Sequence, residues 1–275
     1  MNFSVCMSVY KNDKPKDFEV AVRSVYADQT VKPSEIIIVV DGPIPTDVQK
    51  SINSLKEEID VLNVIYLEHN MGHAIARQTG LDAAKNDIIA IMDSDDISAP
   101  DRFEKQMSFL EENTNIDIVG GNITEFIGNL DNKVGKRIVP NHNQDIYDYL
   151  KYRCPFNLVT VMFRKQAVID VGGFIDWYCE EDYYLWIRMA LNNASFANLS
   201  DDLVNVRVGK EMYARRGGMR YFKSEARLQK YMFKKGIISC GQLIYNITIR
   251  FILQVCMPNK LRGIIFKSFA RKKTC

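Results

Sequence analysis

The chain has 275 residues, 47% hydrophobic and 25% charged, with 15 Gly and 8 Pro, which excludes disordered, collagen-like and low-complexity classes and leaves room for a packed core. No period of 20–50 residues repeats, which excludes a solenoid. The net charge of +2 hides a division: residues 1–202 carry 19 Lys/Arg against 32 Asp/Glu, a net of −13, and residues 203–275 carry 17 against 2, a net of +15.

Short apolar runs bounded by turn residues predict strands over 3–10, 35–40, 61–67, 87–92, 116–124 and 158–163. Helical patterns fall between several of them, over 18–28, over 46–58 with Thr46 as a plausible N-cap, over 73–85, and over 102–113 behind Pro100-Asp101. This alternation predicts an α/β fold with a mostly parallel central sheet and helices on both faces. The β-branched run Ile36-Ile37-Ile38-Val39-Val40 reads as a central strand covered on both sides. Ligands of open α/β sheets bind at the carboxyl ends of strands, where this sequence places Tyr10, Asp41, Asn70 and Asp93. No G-x-G-x-x-G follows a strand and no G-x-x-x-x-G-K-[ST] occurs, so a dinucleotide-binding Rossmann domain and a P-loop are not expected.

Further on, residues 243–257 are too short and too charged, through Arg250, for a membrane span. Gln242, Asn246, Arg250 and Gln254 mark a polar helical stripe beside Leu243, Ile247, Phe251 and Val255. Six Lys and Arg residues between 260 and 273 follow. Two readings stay open: a basic amphipathic helix lying on a membrane surface, or a helix packing its apolar face on the body. The six cysteines form no Cys-x-x-Cys pair, the three histidines complete no zinc pattern, and the chain enters a strand-like stretch at once without a secretory leader. A reducing cytoplasm is the expected location.

Two acidic clusters carry the chemistry. In Asp93-Ser94-Asp95-Asp96, three carboxylates crowd the end of an apolar strand. Such crowding is unfavourable unless a cation neutralises it, and hard divalent ions take carboxylate oxygens while bridging to phosphates. A solvated acidic turn capping the next helix is the alternative. In Glu180-Glu181-Asp182, three acids open an amphipathic helix, where they either complement its dipole or supply a general base. Gly172-Gly173-Phe174 upstream allows a tight turn beside a ligand, and Asp41-Gly42-Pro43 and Asn70-Met71-Gly72 with Arg77 form two further polar turns.

Taken in order, Ser8-Val9-Tyr10, Val40-Asp41-Gly42, Asn70-x-Gly72 with Ala76-Arg77, Asp93-Ser94-Asp95-Asp96 with Pro100 and Arg102, Gly172-Gly173-Phe174, and Glu181-Asp182-Tyr183 with Leu185-Trp186 resemble glycosyltransferase family 2 and its GT-A fold. The resemblance spans about residues 2–192. The later Arg207-Val208-Gly209, Met212-Tyr213, Arg215-Arg216-Gly217-Gly218 and Pro258-Asn259-Lys260-Leu261-Arg262 look like its bacterial exopolysaccharide, capsule and O-antigen branch, of the amylovoran type. The resemblance implies that Val9 and Tyr10 line the nucleotide pocket, with Asn70 and Ser94 in the same nucleotide-sugar site. It implies that Asp41 bonds the uracil and that Arg77 lies near the base or diphosphate. Asp93 would reach ribose and metal, and Asp95 would ligate Mn²⁺ or Mg²⁺. Asp182, or else Glu181, would be the catalytic base. Arg215 and Arg216 would either close over the diphosphate or belong to a membrane-facing basic surface. Leu158 stands where a His or similar polar residue is expected, and Tyr184 where a third acid is common.

The implied protein has a GT-A domain at 1–202, its nucleotide-sugar half at about 1–100 and its acceptor half at about 101–202. A basic lid and amphipathic C-terminal helices occupy 203–275. It is an inverting, metal-dependent enzyme that moves Glc, Gal or an N-acetyl form from a UDP-sugar to a polyprenyl-diphosphate-linked saccharide. It would work on the inner face of the cytoplasmic membrane, with no nucleic-acid partner. The alternatives are a metal-dependent nucleotidyltransferase or phosphatase and a non-catalytic scaffold. Residues 10–17 contain no Gly, unlike the Gly-rich loop that usually opens a nucleotidyltransferase.

Overall fold

The computed structural model describes residues 1–209 and 217–257. The first half alternates strictly: β1 (Phe3–Val9), α1 (Pro15–Ser24), β2 (Glu35–Val40), α2 (Thr46–Glu58), β3 (Leu62–Tyr66), α3 (His73–Ala83) and β4 (Ile88–Met92). Its strands lie parallel in the order β3-β2-β1-β4. Val9 is level with Val40, Val40 with Tyr66, and Met7 with Met92. That register brings the residues after β1, β2 and β4 to one edge of the sheet.

β2 is buried along its whole length, and successive side chains enter opposite cores. Ile36, Ile38 and Val40 pack with Phe18 and Val22 of α1 and Ile52 and Leu55 of α2. Ile37 and Val39 pack with Ala76 and Leu81 of α3. This is the period-two alternation of a strand covered on both faces, and each Ile or Val contributes about 1.5–3 kcal/mol by leaving water. α1 begins at Pro15, earlier than the apolar pattern indicates, because a first-turn Pro lacks only an N–H that would be unpaired anyway.

Beyond β4 the sheet becomes mixed. The second half adds β5 (Ile97–Ser98), α4 (Arg102–Glu112), β6 (Ile118–Phe126), β7 (Lys133–Arg137), α5 (Asn143–Leu150), β8 (Met162–Arg164), α6 (Lys165–Ile169), α7 (Glu181–Leu191) and β9 (Phe196–Arg207). The strand order continues β4-β8-β6-β9-β5, with β8 antiparallel to both neighbours, β9 parallel to β6, and β7 on the side of β6. The strand expected over 158–163 is a 3₁₀ turn at Leu158–Thr160 followed by β8. Asn157 Nδ2 donates to the Gly121 carbonyl at 2.8 Å, and Thr160 Oγ1 accepts from Gly121 N–H at 3.0 Å, which pins the turn on β6.

The C-terminal part is a helical hairpin, α8 (Met219–Lys234) and α9 (Cys240–Phe251), continued by a π-helical turn at Ile252–Cys256. Leu228 and Met232 of α8 join the core that also holds Trp186 of α7. Of the two open readings of the tail, α9 packs on the body, but mainly through its polar stripe, with Leu243 of the apolar one also against the core. Asn246, Arg250 and Gln254 face inward, and Phe251 is exposed. Among the described residues no helix is long and apolar enough to cross a membrane.

Candidate active site

The turns after β1, β2 and β4 meet the N-termini of α3 and α7. Asp41 is buried, and its carboxylate is held by the 70–72 turn. Oδ1 accepts from Met71 N–H at 2.6 Å, and Oδ2 accepts from Gly72 N–H at 3.0 Å and Asn70 Nδ2 at 2.9 Å. The two turns approach so closely that a Cβ on Gly42, whose φ is +83°, would lie 2.5 Å from the backbone nitrogen of Asn70. Asp41 and Asn70 are thus brought together as one rigid wall.

Val9 closes β1 in the core, and its carbonyl accepts from Asp41 N–H at 2.8 Å. Tyr10 N–H and Ser94 Oγ both donate to Asp13 Oδ2, each at 2.9 Å. Asp13 therefore ties the turn after β1 to the acidic turn after β4. Burial raises its proton affinity against the pull of those two donors. The sequence reading missed it because 10–17 looks like an ordinary polar loop.

In the acidic turn, Asp96 is buried and accepts Arg207 N–H at 2.8 Å. Arg207 Nε donates to the Asp95 carbonyl at 3.1 Å, and its Nη2 pairs with Asp17 at 3.1 Å. Asp96 and Arg207 thereby join β4 to the end of β9, and burial, followed by repulsion from Asp95 and Asp93, pushes the Asp96 carboxyl well up. Asp95 has no such cap on its side chain, and burial with repulsion from Asp93 and Asp13 pushes it up to about 6. Arg102, which the motif includes, is fully buried elsewhere and donates to the Ile91 carbonyl at 3.0 Å.

Arg77, in α3, bridges the two acidic clusters. Its buried guanidinium donates through Nη1 to Glu181 Oε1 at 2.7 Å and through Nη2 to Asp93 Oδ1 at 3.2 Å. Burial opposes its charge, but Asp93, Glu181 and Asp182 outweigh that and strengthen its hold on the proton.

α7 opens with Glu181 and Asp182 in its first turn, where the helix dipole favours carboxylates. Asp182 Oδ1 accepts from Tyr183 N–H at 2.6 Å, and Oδ2 faces the Cys154 thiol at 3.8 Å. Burial and the neighbouring Glu181 push Asp182 up to about 6. Glu180 is buried one residue earlier, and burial with repulsion from Glu225 and Asp182 raises it well above the usual range.

The helix start is fixed from three sides. Gln78 Oε1 accepts Phe174 N–H at 2.7 Å and lies so close to Gly173 that a Cβ there would be 2.1 Å away. Arg188 Nη2 donates to the Gly173 carbonyl at 2.7 Å. Arg137 Nη2 donates to the Cys154 carbonyl at 2.6 Å, and its Nη1 to Asn157 Oδ1 at 2.9 Å, holding the loop opposite Asp182. Tyr184, in place of a third acid, stacks with Trp177, Tyr231 and the Arg188 guanidinium at 4.5, 5.2 and 4.6 Å. Leu158 sits in the pinned 3₁₀ turn. Arg215 and Arg216 lie outside the described residues.

Asp93 and Asp95 offer the hard oxygen ligands a divalent ion takes, and their repulsion is of the kind such an ion relieves. Among the described residues no three His, Cys, Asp or Glu side chains converge on a ready-made metal site. A cation here would complete its shell with phosphate and water oxygens.

The sequence model described as Glycosyl transferase family 2 matches residues 4–176. The chain is 34% identical over 270 residues to the Escherichia coli UDP-Gal:alpha-D-GlcNAc-diphosphoundecaprenol beta-1,3-galactosyltransferase, covering 98% of this chain and 97% of that one. It is 35% identical over 268 residues to the Erwinia amylovora amylovoran biosynthesis glycosyltransferase AmsE, covering 96% and 98%. The fold is similar to that of S. aureus TarS 1-349 in complex with UDP-GlcNAc, with a TM-score of 0.67 at 17% identity, covering 92% of this chain and 73% of that one. Against a longer TarS chain the match covers 44% of its length. The chain belongs to glycosyl transferase family 2.

Proposed function

We propose that this protein is an inverting glycosyltransferase that moves a hexose or N-acetylhexosamine from a UDP-sugar to a polyprenyl-diphosphate-linked saccharide during cell-surface polysaccharide synthesis. The observation that carries the reading is the bridge made by Arg77, which occupies Asp93 and Glu181; with Asp96 committed to the Arg207 backbone and Glu180 buried against Glu225, one acid in each cluster, Asp95 and Asp182, is left for chemistry. Two separate acids serve two separate tasks, holding the leaving diphosphate and accepting a proton. The printed activity of the E. coli galactosyltransferase supports the donor and acceptor classes.

In this reading Val9, Tyr10 and the wall built from Asp41 and Asn70 receive the nucleotide, with Ser94 and Asp13 fixing the floor. Asp95 and Asp93 would hold Mn²⁺ or Mg²⁺, which supplies charge neutralisation for the departing diphosphate. Asp182 Oδ2 takes the proton of the acceptor hydroxyl. The hydroxyl oxygen attacks the anomeric carbon as its bond to the β-phosphate oxygen breaks, and UDP departs with the bonding electrons. Glu181 is the less available of the two, because Arg77 holds its Oε1 at 2.7 Å. Residues 1–100 form the donor half and 101–202 the acceptor half. The enzyme works peripherally at the inner face of the cytoplasmic membrane.

The test is a panel of UDP-sugars incubated with a GlcNAc-diphosphoundecaprenol acceptor and Mn²⁺. Metal-dependent release of UDP from one donor with a one-sugar extension of the acceptor is expected. Pyrophosphate release from UTP and a sugar phosphate would instead show a nucleotidyltransferase. Metal-dependent UDP binding without turnover on any acceptor would show a scaffold.

A further inference from the structure

In the α8–α9 hairpin, α9 turns a polar stripe inward. Asn246 is 1% exposed, and its Nδ2 donates to the Lys151 carbonyl at 2.9 Å and to Gln229 Oε1 at 2.8 Å. Arg250 Nη2 donates to the Tyr152 carbonyl at 2.7 Å, and its Nε pairs with Glu225 at 3.1 Å. Gln254 also donates to Glu225. Lys151 and Tyr152 immediately follow α5, so these side chains satisfy carbonyls at the end of that helix that have no intrahelical partner. Turning α9 over would leave those groups unpaired and buried, so the polar stripe is locked inward.

The opposite face is left in the open. Ile244, Tyr245, Phe251 and Ile252 are 62%, 58%, 40% and 45% exposed and fall at i, i+1, i+7 and i+8, one side of the helix. Phe222 of α8 extends the patch against Phe251, with ring centroids 5.3 Å apart. On α8, Arg220, Lys223, Arg227, Lys230 and Lys234 recur at alternating steps of three and four, a second stripe exposed to solvent. Glu225, the one acid between residues 219 and 251, is buried under Arg250 and Gln254.

We propose that the α8–α9 hairpin docks this protein on an anionic lipid surface. The face of Ile244, Tyr245, Phe251 and Ile252 enters the acyl–headgroup boundary, and the α8 cations engage lipid phosphates. Charge complementarity selects this occupant: a second copy docked symmetrically through this face would bring two cationic stripes together, and a neutral protein surface would leave the cations unmatched. The hairpin is fastened to the turn that leads into α7, whose first turn carries the candidate base. Arg227 lies 4.1 Å from the Trp177 ring and Arg220 4.1 Å from that of Tyr178, and Ser224 Oγ donates to the Tyr178 carbonyl at 2.7 Å. Docking therefore fixes the start of α7 relative to the lipid surface. Its value for catalysis rests on the lipid-linked acceptor proposed above, whereas the docking itself does not.

Flotation of the full chain with phosphatidylcholine vesicles, with and without phosphatidylglycerol, tests this without nucleotide or sugar. Binding is expected with phosphatidylglycerol, to be weak without it, and to weaken with salt. The exposed pairs Ile244→Ser with Phe251→Ser, and Lys223→Glu with Lys230→Glu, are each expected to lower partitioning about tenfold or more, with an unchanged thermal melt and unchanged UDP binding. The proposal is overturned if the parent chain does not float with anionic vesicles, or if both variants float like the parent. A dimer that the Ser pair dissociates would likewise overturn it and assign the face to self-association. Failure of the transferase reading looks different: flotation persists while UDP fails to bind.

Discussion

The acidic turn after β4 and the first turn of α7 are built alike. Each has one acid spent on the scaffold: Asp96 on the Arg207 backbone, and Glu180 in the buried seam against α8. Each has one acid bound by Arg77: Asp93 and Glu181. Each keeps one carboxylate whose proton affinity is pushed up to about 6, Asp95 and Asp182. The difference lies in what raises them. Asp95 sits among other acids, after burial the main cause, and so calls for a cation. Asp182 is raised, after burial, mainly by Glu181, which Arg77 pairs, and so is suited to hold a proton in transit. Each run of acids thus divides into a member bonded to or buried in the scaffold, a member paired with Arg77 and a member paired with neither, and one arginine on a third element selects the paired member of both.

The largest effect that would break this comparison comes from Asp182. Asp182→Asn is expected to lower kcat by about 10²–10⁴-fold in a transfer assay, as loss of a general base does. An equal loss in Glu181→Gln with retained activity in Asp182→Asn would reverse the roles. Asp95→Ala is expected to lower kcat/KM by about a hundredfold or more, and EDTA to reproduce that loss in the parent protein. Full activity in EDTA would remove the metal from the account. Arg77→Lys keeps a charge but not the two-pronged geometry, and a fall in kcat/KM of about tenfold is expected, with effects on both UDP affinity and transfer.

The smallest effect is in pH. Asp182 and Asp95, both pushed up to about 6, must each lose a proton, so kcat/KM should rise through about pH 6 and level off above it. Saturating Mn²⁺ competes with the proton on Asp95 and should make the acid limb shallower. Stability runs the other way. The folded protein binds these protons more tightly than the unfolded chain, whose aspartates titrate near about 3.9. Their stabilising contribution is complete below that pH and is lost as pH rises through about 6. Mn²⁺ with UDP should therefore raise Tm more at pH 7 than at pH 5.

The first half of the fold was legible because its strands are short apolar runs and its helices keep a clear period. β9 was not, because Ser200-Asp201-Asp202 interrupts its apolar pattern and its pairing with β6 carries register shifts beside Gly121 and Asn122. The acids of the site were legible from their position after β4 and before α7. Their pairing was not. Arg77 lies 104 residues from Glu181 in sequence, and nothing local marks it as a bridge. Asp13 and Gln78 escaped for the same reason, and Arg207 was noted only within a motif, since each acts through contacts with turns distant along the chain. The inward face of α9 stayed open for a different reason. Polar periodicity identifies the faces of a helix, but the unpaired carbonyls after α5 decided which face points inward.

The most direct test of the divided roles is calorimetric binding of UDP, with and without Mn²⁺, to the parent protein, Asp182→Asn and Asp95→Ala, each also assayed for transfer. The account predicts that Asp182→Asn keeps metal-dependent UDP binding while losing transfer, and that Asp95→Ala loses both. Loss of UDP binding in Asp182→Asn, or metal-dependent binding retained in Asp95→Ala, would contradict it.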